Sequence, residues 1–132
     1  MKAYTDLKQS KKLAEMLPIE SADMCFNISQ RSNMPPLMTP YSKFNEFFNI
    51  GETPDFLIPC WSLAVLLDVL ESEIDGEEGE TYQLNIEKDG TWWNVWYKER
   101  YDEANPIETE STEDLVDACV EIISKLHELK LL

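Results

Sequence analysis

The sequence predicts an α+β fold. A small antiparallel sheet built on a hairpin over residues 81–101 is packed by a central helix over about 60–70 and a C-terminal helix over about 112–129, with an N-terminal surface helix over about 6–17. Three observations predict it. Residues 81–101 alternate in polarity about an Asp89-Gly90 dipeptide, a pair that supplies the positive φ angles of a two-residue hairpin turn. Leu115, Cys119, Ile122, Leu126 and Leu129 recur at helical steps, with Val116, Val120 and Ile123 widening the stripe. Residues 61–70 are apolar nearly all round, which suits a helix at the centre of a fold and not one lying on its surface.

Taken in order, Thr5 caps the first helix, Asp6 stands in its opening turn, and Leu7, Ala14 and Leu17 form a narrow apolar stripe that Pro18 terminates. Lys8, Lys11 and Lys12 make the one basic cluster of the chain, most simply read as a solvated face. Residues 24–28 suit a short strand. Residues 29–59 lose periodicity and hold Pro35, Pro36, Pro40, Pro54 and Pro59, so a long irregular segment is expected, with Phe44, Phe47 and Phe48 turned back onto the core. Pro59 then suits the first turn of the central helix. Residues 71–80, with Gly76 and Gly79 among six acids, read as a solvated loop feeding the hairpin. After the hairpin comes an acidic connection containing Pro106, and Ser111 with Asp114 approximates a capping box for the last helix.

An Asp89-Gly90 turn places Ile86 opposite Trp93, Leu84 opposite Val95 and Tyr82 opposite Tyr97, all on the face that the C-terminal helix should cover. The other face pairs Glu87 with Trp92, Asn85 with Asn94 and Gln83 with Trp96. Trp92 and Trp96, with Gln83, Asn85 and Asn94 between them, form an aromatic and amide surface suited to stacking on a planar ligand or anchoring a protein. The competing reading is that the segment over 29–59 covers that face.

At 132 residues and 15.3 kDa the chain suits a single domain with its own core. Its formal net charge of −15 disfavours direct binding to nucleic-acid phosphates or an anionic membrane and favours a basic protein partner, of unknown identity. No apolar run reaches the roughly 18 to 20 residues of a membrane span, and the N-terminus lacks the basic-then-apolar order of a secretory leader, so a cytoplasmic location is expected.

Little in the sequence points to catalysis. Cys25, Cys60 and Cys119 are widely spaced in apolar segments, which suits reduced core thiols better than disulfides or a metal site. Cys60 at a helix N-terminus is the candidate reactive thiol, opposed by its apolar neighbours. His127 has no nucleophile beside it on its helix, since Cys119 is offset by about 80° around the axis. Residues 75–78 fail the calcium-loop pattern, no phosphate-cradling glycine loop occurs, and no catalytic, cofactor-binding or metal residue is assigned. Enzymatic activity is the less favoured reading.

The segments Asp6-Leu7-Lys8-Gln9-Ser10-Lys11-Lys12-Leu13, Pro59-Cys60-Trp61-Ser62-Leu63-Ala64, Asp117-Ala118-Cys119-Val120-Glu121 and Leu126-His127-Glu128-Leu129 resemble a group of short uncharacterised proteins of prophages and other mobile elements of gut anaerobes. The resemblance implies a cytoplasmic accessory protein of a mobile element, and it carries no reaction or cofactor with it. The expected function is therefore a non-enzymatic interaction or accessory protein anchored through Trp92 and Trp96. The alternatives are a small-ligand-binding domain or small enzyme at that face, and a DNA mimic using Glu77, Glu78, Glu80, Asp102, Glu103, Glu108 and Glu110.

Overall fold

A computed structural model describes residues 1–28, 36, 56–102 and 105–132. They form three α-helices and two antiparallel sheets, the α+β class expected. The irregular segment expected over 29–59, with its phenylalanines, falls almost wholly outside the described residues. The chain groups into two compact units, Ala3–Val65 and Met1–Lys2 with Leu66–Leu132.

In the first unit, α1 (Leu7–Ala14) is capped by Asp6, one residue later than the sequence suggests. The Asp6 carboxylate accepts from the Gln9 amide at 2.7 Å, and the Gln9 side chain accepts from the Asp6 amide at 3.0 Å, a complete capping box. Thr5 is left to serve the core instead. Its buried hydroxyl lies 2.7 Å from the Ser10 hydroxyl and accepts from the Trp61 amide at 3.2 Å, so two buried polar side chains satisfy each other. Leu13 points inward while Lys8, Lys11 and Lys12 are exposed, as an amphipathic helix requires, and Leu17 just past the helix is buried as well.

Strand β1 (Met24–Asn27) pairs antiparallel with β2 (Leu57–Cys60), Met24 opposite Cys60 and Asn27 opposite Leu57. The central helix, α2, spans Leu63–Val69 and carries the chain from one unit into the other. Pro59 and Cys60 therefore belong to a strand and not to a first helical turn. The Ser62 hydroxyl accepts from the Val65 amide at 3.3 Å and opens α2 instead. Trp61 is fully buried, and its indole donates to the Ser21 hydroxyl at 2.9 Å.

The second unit holds a sheet in the order β3 (Glu73–Asp75), β4 (Thr81–Asp89), β5 (Trp92–Glu99), with α3 (Leu115–Glu128) packed on β5. Strand β3 corrects the solvated loop expected over 71–80. Glu73 and Asp75 are exposed, but Ile74 between them is buried opposite Tyr82, so a single inward residue pins an otherwise acidic strand. The return to β4 is a short turn in which the Gly76 amide donates to the Glu80 carbonyl at 2.8 Å.

The main hairpin turns at Gly90-Thr91, not Asp89-Gly90. Asp89 pairs with Trp92, Ile86 with Val95 and Leu84 with Tyr97. Gly90 takes φ +62 at the first central position while Thr91 stays at negative φ, the type II′ pattern. This turn needs one positive-φ residue and spares Asp89 the conformation a type I′ turn would impose. The register moves by two residues, so every side chain keeps the face expected of it.

Val95 and Tyr97 are buried on the face toward α3, whereas Ile86, near the hairpin tip, stays 41% exposed. The helix thus covers the base of the hairpin face and not its full length. Helix α3 is capped by Asp114, whose carboxylate accepts from the Val116 amide at 2.9 Å, correcting the expected start at Ser111. The same carboxylate accepts from the Lys2 amide at 2.6 Å, and the Lys2 ammonium meets Asp117 at 2.7 Å. Eight side chains of α3 are buried, from Leu115 to Leu126, which makes it the largest apolar contribution to this unit.

Candidate interaction surface

The face of the sheet opposite Val95 and Tyr97 is built by alternation along three strands. Trp92, Asn94, Trp96 and Lys98 come from β5, Gln83, Asn85, Glu87 and Asp89 from β4, and Glu73 and Asp75 from β3. Trp96 stands directly opposite Asn85, Asn94 opposite Glu87, and Trp92 opposite Asp89. All five residues expected to share this surface do share it.

The two tryptophans differ in exposure. Trp92 is 48% exposed beside the turn, a large apolar area left to solvent, whereas Trp96 is half-buried further down the strand. The three amides are already engaged within the chain. Gln83 donates to Glu73 at 3.4 Å, Asn85 donates to the Gln83 carbonyl at 3.0 Å, and the Asn94 side-chain oxygen accepts from the Ser111 hydroxyl. These contacts hold the amides in place around the rings, so the amides frame the surface while the indoles and carboxylates offer contact to a partner.

A second part of the surface lies in the connection after the hairpin. Residues 107–112 run beside β5: Ile107 and Tyr97 exchange both backbone hydrogen bonds at 2.8 Å, and Thr112 and Trp93 do the same at 2.6 and 3.1 Å. The two bridges differ by one residue in register, so the strap carries a bulge between them. It covers the edge of β5 and brings Glu108 and Thr109 beside Trp96. A shallow cleft of about 180 Å³ results, lined by Glu87, Asn94, Val95, Trp96, Glu108 and Thr109. Composition hides this element, because four of residues 105–110 are polar or acidic; the β-branched Ile107, Thr109 and Thr112 are the one sign of it in the sequence.

The face is predominantly acidic. Its strand positions carry Glu73, Asp75, Glu87 and Asp89 against Lys98, with Glu108 at the rim, and Arg100 just past β5 approaches Glu73 at 3.6 Å. An open concavity nearby gathers Glu78, Glu80, Glu99 and Asp102 around Tyr82. Burial, then the charges of Glu80, Glu99 and Glu78, push the Tyr82 hydroxyl above its ordinary pKa. Of the acids expected to form a nucleic-acid-like surface, Glu103 lies outside the described residues.

The remaining candidates sit in cores. Cys60 closes β2, fully buried, with its sulfur 3.5 Å from the Thr5 hydroxyl, and burial raises its pKa despite hydrogen bonds that lower it. Cys25 is likewise buried and raised by burial, and burial pushes Cys119 up to about 12. Thiolate chemistry is disfavoured at all three. His127 is exposed in the last turn of α3. Among the described residues, no group of three or more His, Cys, Asp or Glu could hold a metal ion, and no helix is long and apolar enough to cross a membrane.

Fold and surface together define a small acidic α+β chain with an aromatic patch on the face of a three-stranded sheet opposite Val95 and Tyr97. No family model, curated protein or solved structure matches it.

Proposed function

We propose that this chain is a non-enzymatic interaction protein whose Trp92 and Trp96 face docks a basic protein partner. The observation that carries the reading is Trp92, a tryptophan 48% exposed on a sheet face otherwise made of Trp96, amides, carboxylates and Lys98. Tryptophans recur among residues that dominate binding energy, and a negative field hastens encounter with a positive partner. The resemblance to prophage and mobile-element proteins supplies the setting, a cytoplasmic accessory factor.

A small-ligand site or small enzyme is the second reading, favoured by the cleft at Trp96. Size weighs against it: about 180 Å³ is below the roughly 300 Å³ at which small-molecule pockets begin. Such a cleft suits one side chain of a larger partner. The test is affinity capture from the native host's lysate with the wild-type chain and with Trp92→Ala/Trp96→Ala, folding of the variant being checked by circular dichroism. The proposal expects a captured basic protein to be lost from the double variant and weakened by salt. A folded double variant that retains every partner removes this face from the function.

A further inference from the structure

The cleft beside Trp96 combines a half-buried indole with carboxylates on two different elements, Glu87 from β4 and Glu108 from the strap. An aromatic ring bordered by two acids is the chemistry that selects a cation, the ring through its quadrupole and the carboxylates through charge. The hairpin already makes such a contact on its other face, where the Lys88 ammonium lies 5.4 Å from the Trp93 ring centre. The strap gives the outer face a walled recess at Trp96, whereas the neighbouring Trp92 stands open at 48% exposure.

We propose that the Trp96 cleft is a receptor for a single arginine side chain of the basic partner, its guanidinium stacked on the indole and paired with Glu87 and Glu108, with Trp92 covering adjacent apolar surface. A planar guanidinium can stack and form paired hydrogen bonds at the same time, which an ammonium cannot. Charge complementarity selects the occupant: Lys98 and Arg100, the latter set against Glu73 at 3.6 Å, are outnumbered by four acidic strand positions, and the cleft itself is lined by Glu87 and Glu108 with no basic residue among the described residues that line it. This inference rests on the interaction reading above and adds to it the chemical identity of the anchoring group.

The test uses the full chain labelled with 15N and a short peptide bearing one arginine among neutral residues, compared with the same peptide bearing citrulline, which keeps the shape and removes the charge. The readout is the Trp96 indole N–H resonance. The arginine peptide shifts it in a saturable way and the citrulline peptide does not. Glu87→Gln and Glu108→Gln, both at exposed positions where folding is not at stake, each weaken the binding by about threefold, as expected of partly solvated charge pairs.

Equal shifts with citrulline, no response at Trp96, or unchanged affinity in both variants overturns the arginine receptor. The broader reading fails separately. If Trp96 ignores the peptide while Trp92→Ala still abolishes capture of the cellular partner, the interaction face stands and the receptor does not.

Discussion

Cys25, Cys60 and Cys119 each have no accessible surface, and burial raises all three pKa values. A thiol in that position presents neither a thiolate nor a route of approach. Ellman's reagent at pH 8 should find no reactive thiol in the native protein and three per chain in denaturant. A fast native reaction at Cys60 would reopen the enzymatic reading. Tyr97 shows the same logic for a phenol: it is fully buried, its hydroxyl donates to the Glu71 carbonyl at 2.6 Å, and burial, reinforced by Glu71 and Cys119, raises its pKa. The exposed indole of Trp92 is the contrasting case, a large apolar group left in solvent where the nearby core residues are covered.

Among the elements, α3 depends on a single side chain for its entry. Asp114 satisfies amides of its first turn and also holds the Lys2 amide. Asp114→Ala should cost about 1 to 2 kcal/mol, the upper part of the usual capping range, because two separate segments lose an acceptor. Urea denaturation followed by circular dichroism measures it. A change within error would mean that water replaces the carboxylate at no cost.

Helix α3, the hairpin, the short strand near Met24 and the sharing of a face by Trp92 and Trp96 were legible in the sequence, because periodicity is a property of whole segments. Point features were less so. Caps fell one residue from expectation at Asp6 and three at Asp114, since neighbouring Thr, Ser and Asp can all cap and tertiary contacts choose among them. The turn moved from Asp89-Gly90 to Gly90-Thr91 because one glycine can serve either of two turn types, yet the faces survived the two-residue shift. Strand β3 and the strap at 107–112 were hidden by their acidic composition, and with them the cleft at Trp96. Their pairing is held by backbone hydrogen bonds and by Ile74 and Ile107, too few apolar residues to show as a pattern.

For the molecule as a whole, the buried acids set an alkaline limit to stability. An unfolded cysteine ionises near 9.0, whereas folded Cys119 holds its proton until about 12. Between those values the unfolded chain binds fewer protons than the folded one, so stability is fully present below pH 9 and falls as pH rises. The slope from one such group approaches about 1.4 kcal/mol per pH unit, and raised Tyr97 and Cys60 act in the same direction. Denaturation midpoints at pH 8, 9.5 and 10.5 should descend in that order, less steeply for Cys119→Ala. A flat profile would contradict the burial assigned to these groups.

The large negative charge has a second consequence at this scale. Any polycation will be drawn to a chain of net charge −15, so binding alone does not identify a site, and location must be read residue by residue. The four tryptophans provide that reading. Trp92 and Trp96 mark the outward face of the hairpin, Trp93 the opposite face, and Trp61 the core of the other unit. The most direct measurement is the response of the four indole N–H resonances as the basic partner is added to 15N-labelled protein. The account predicts saturable shifts at Trp92 and Trp96 with Trp61 unmoved and Trp93 little changed. Shifts absent from Trp92 and Trp96 while backbone amides of the acidic turn at 77–80 respond would contradict it.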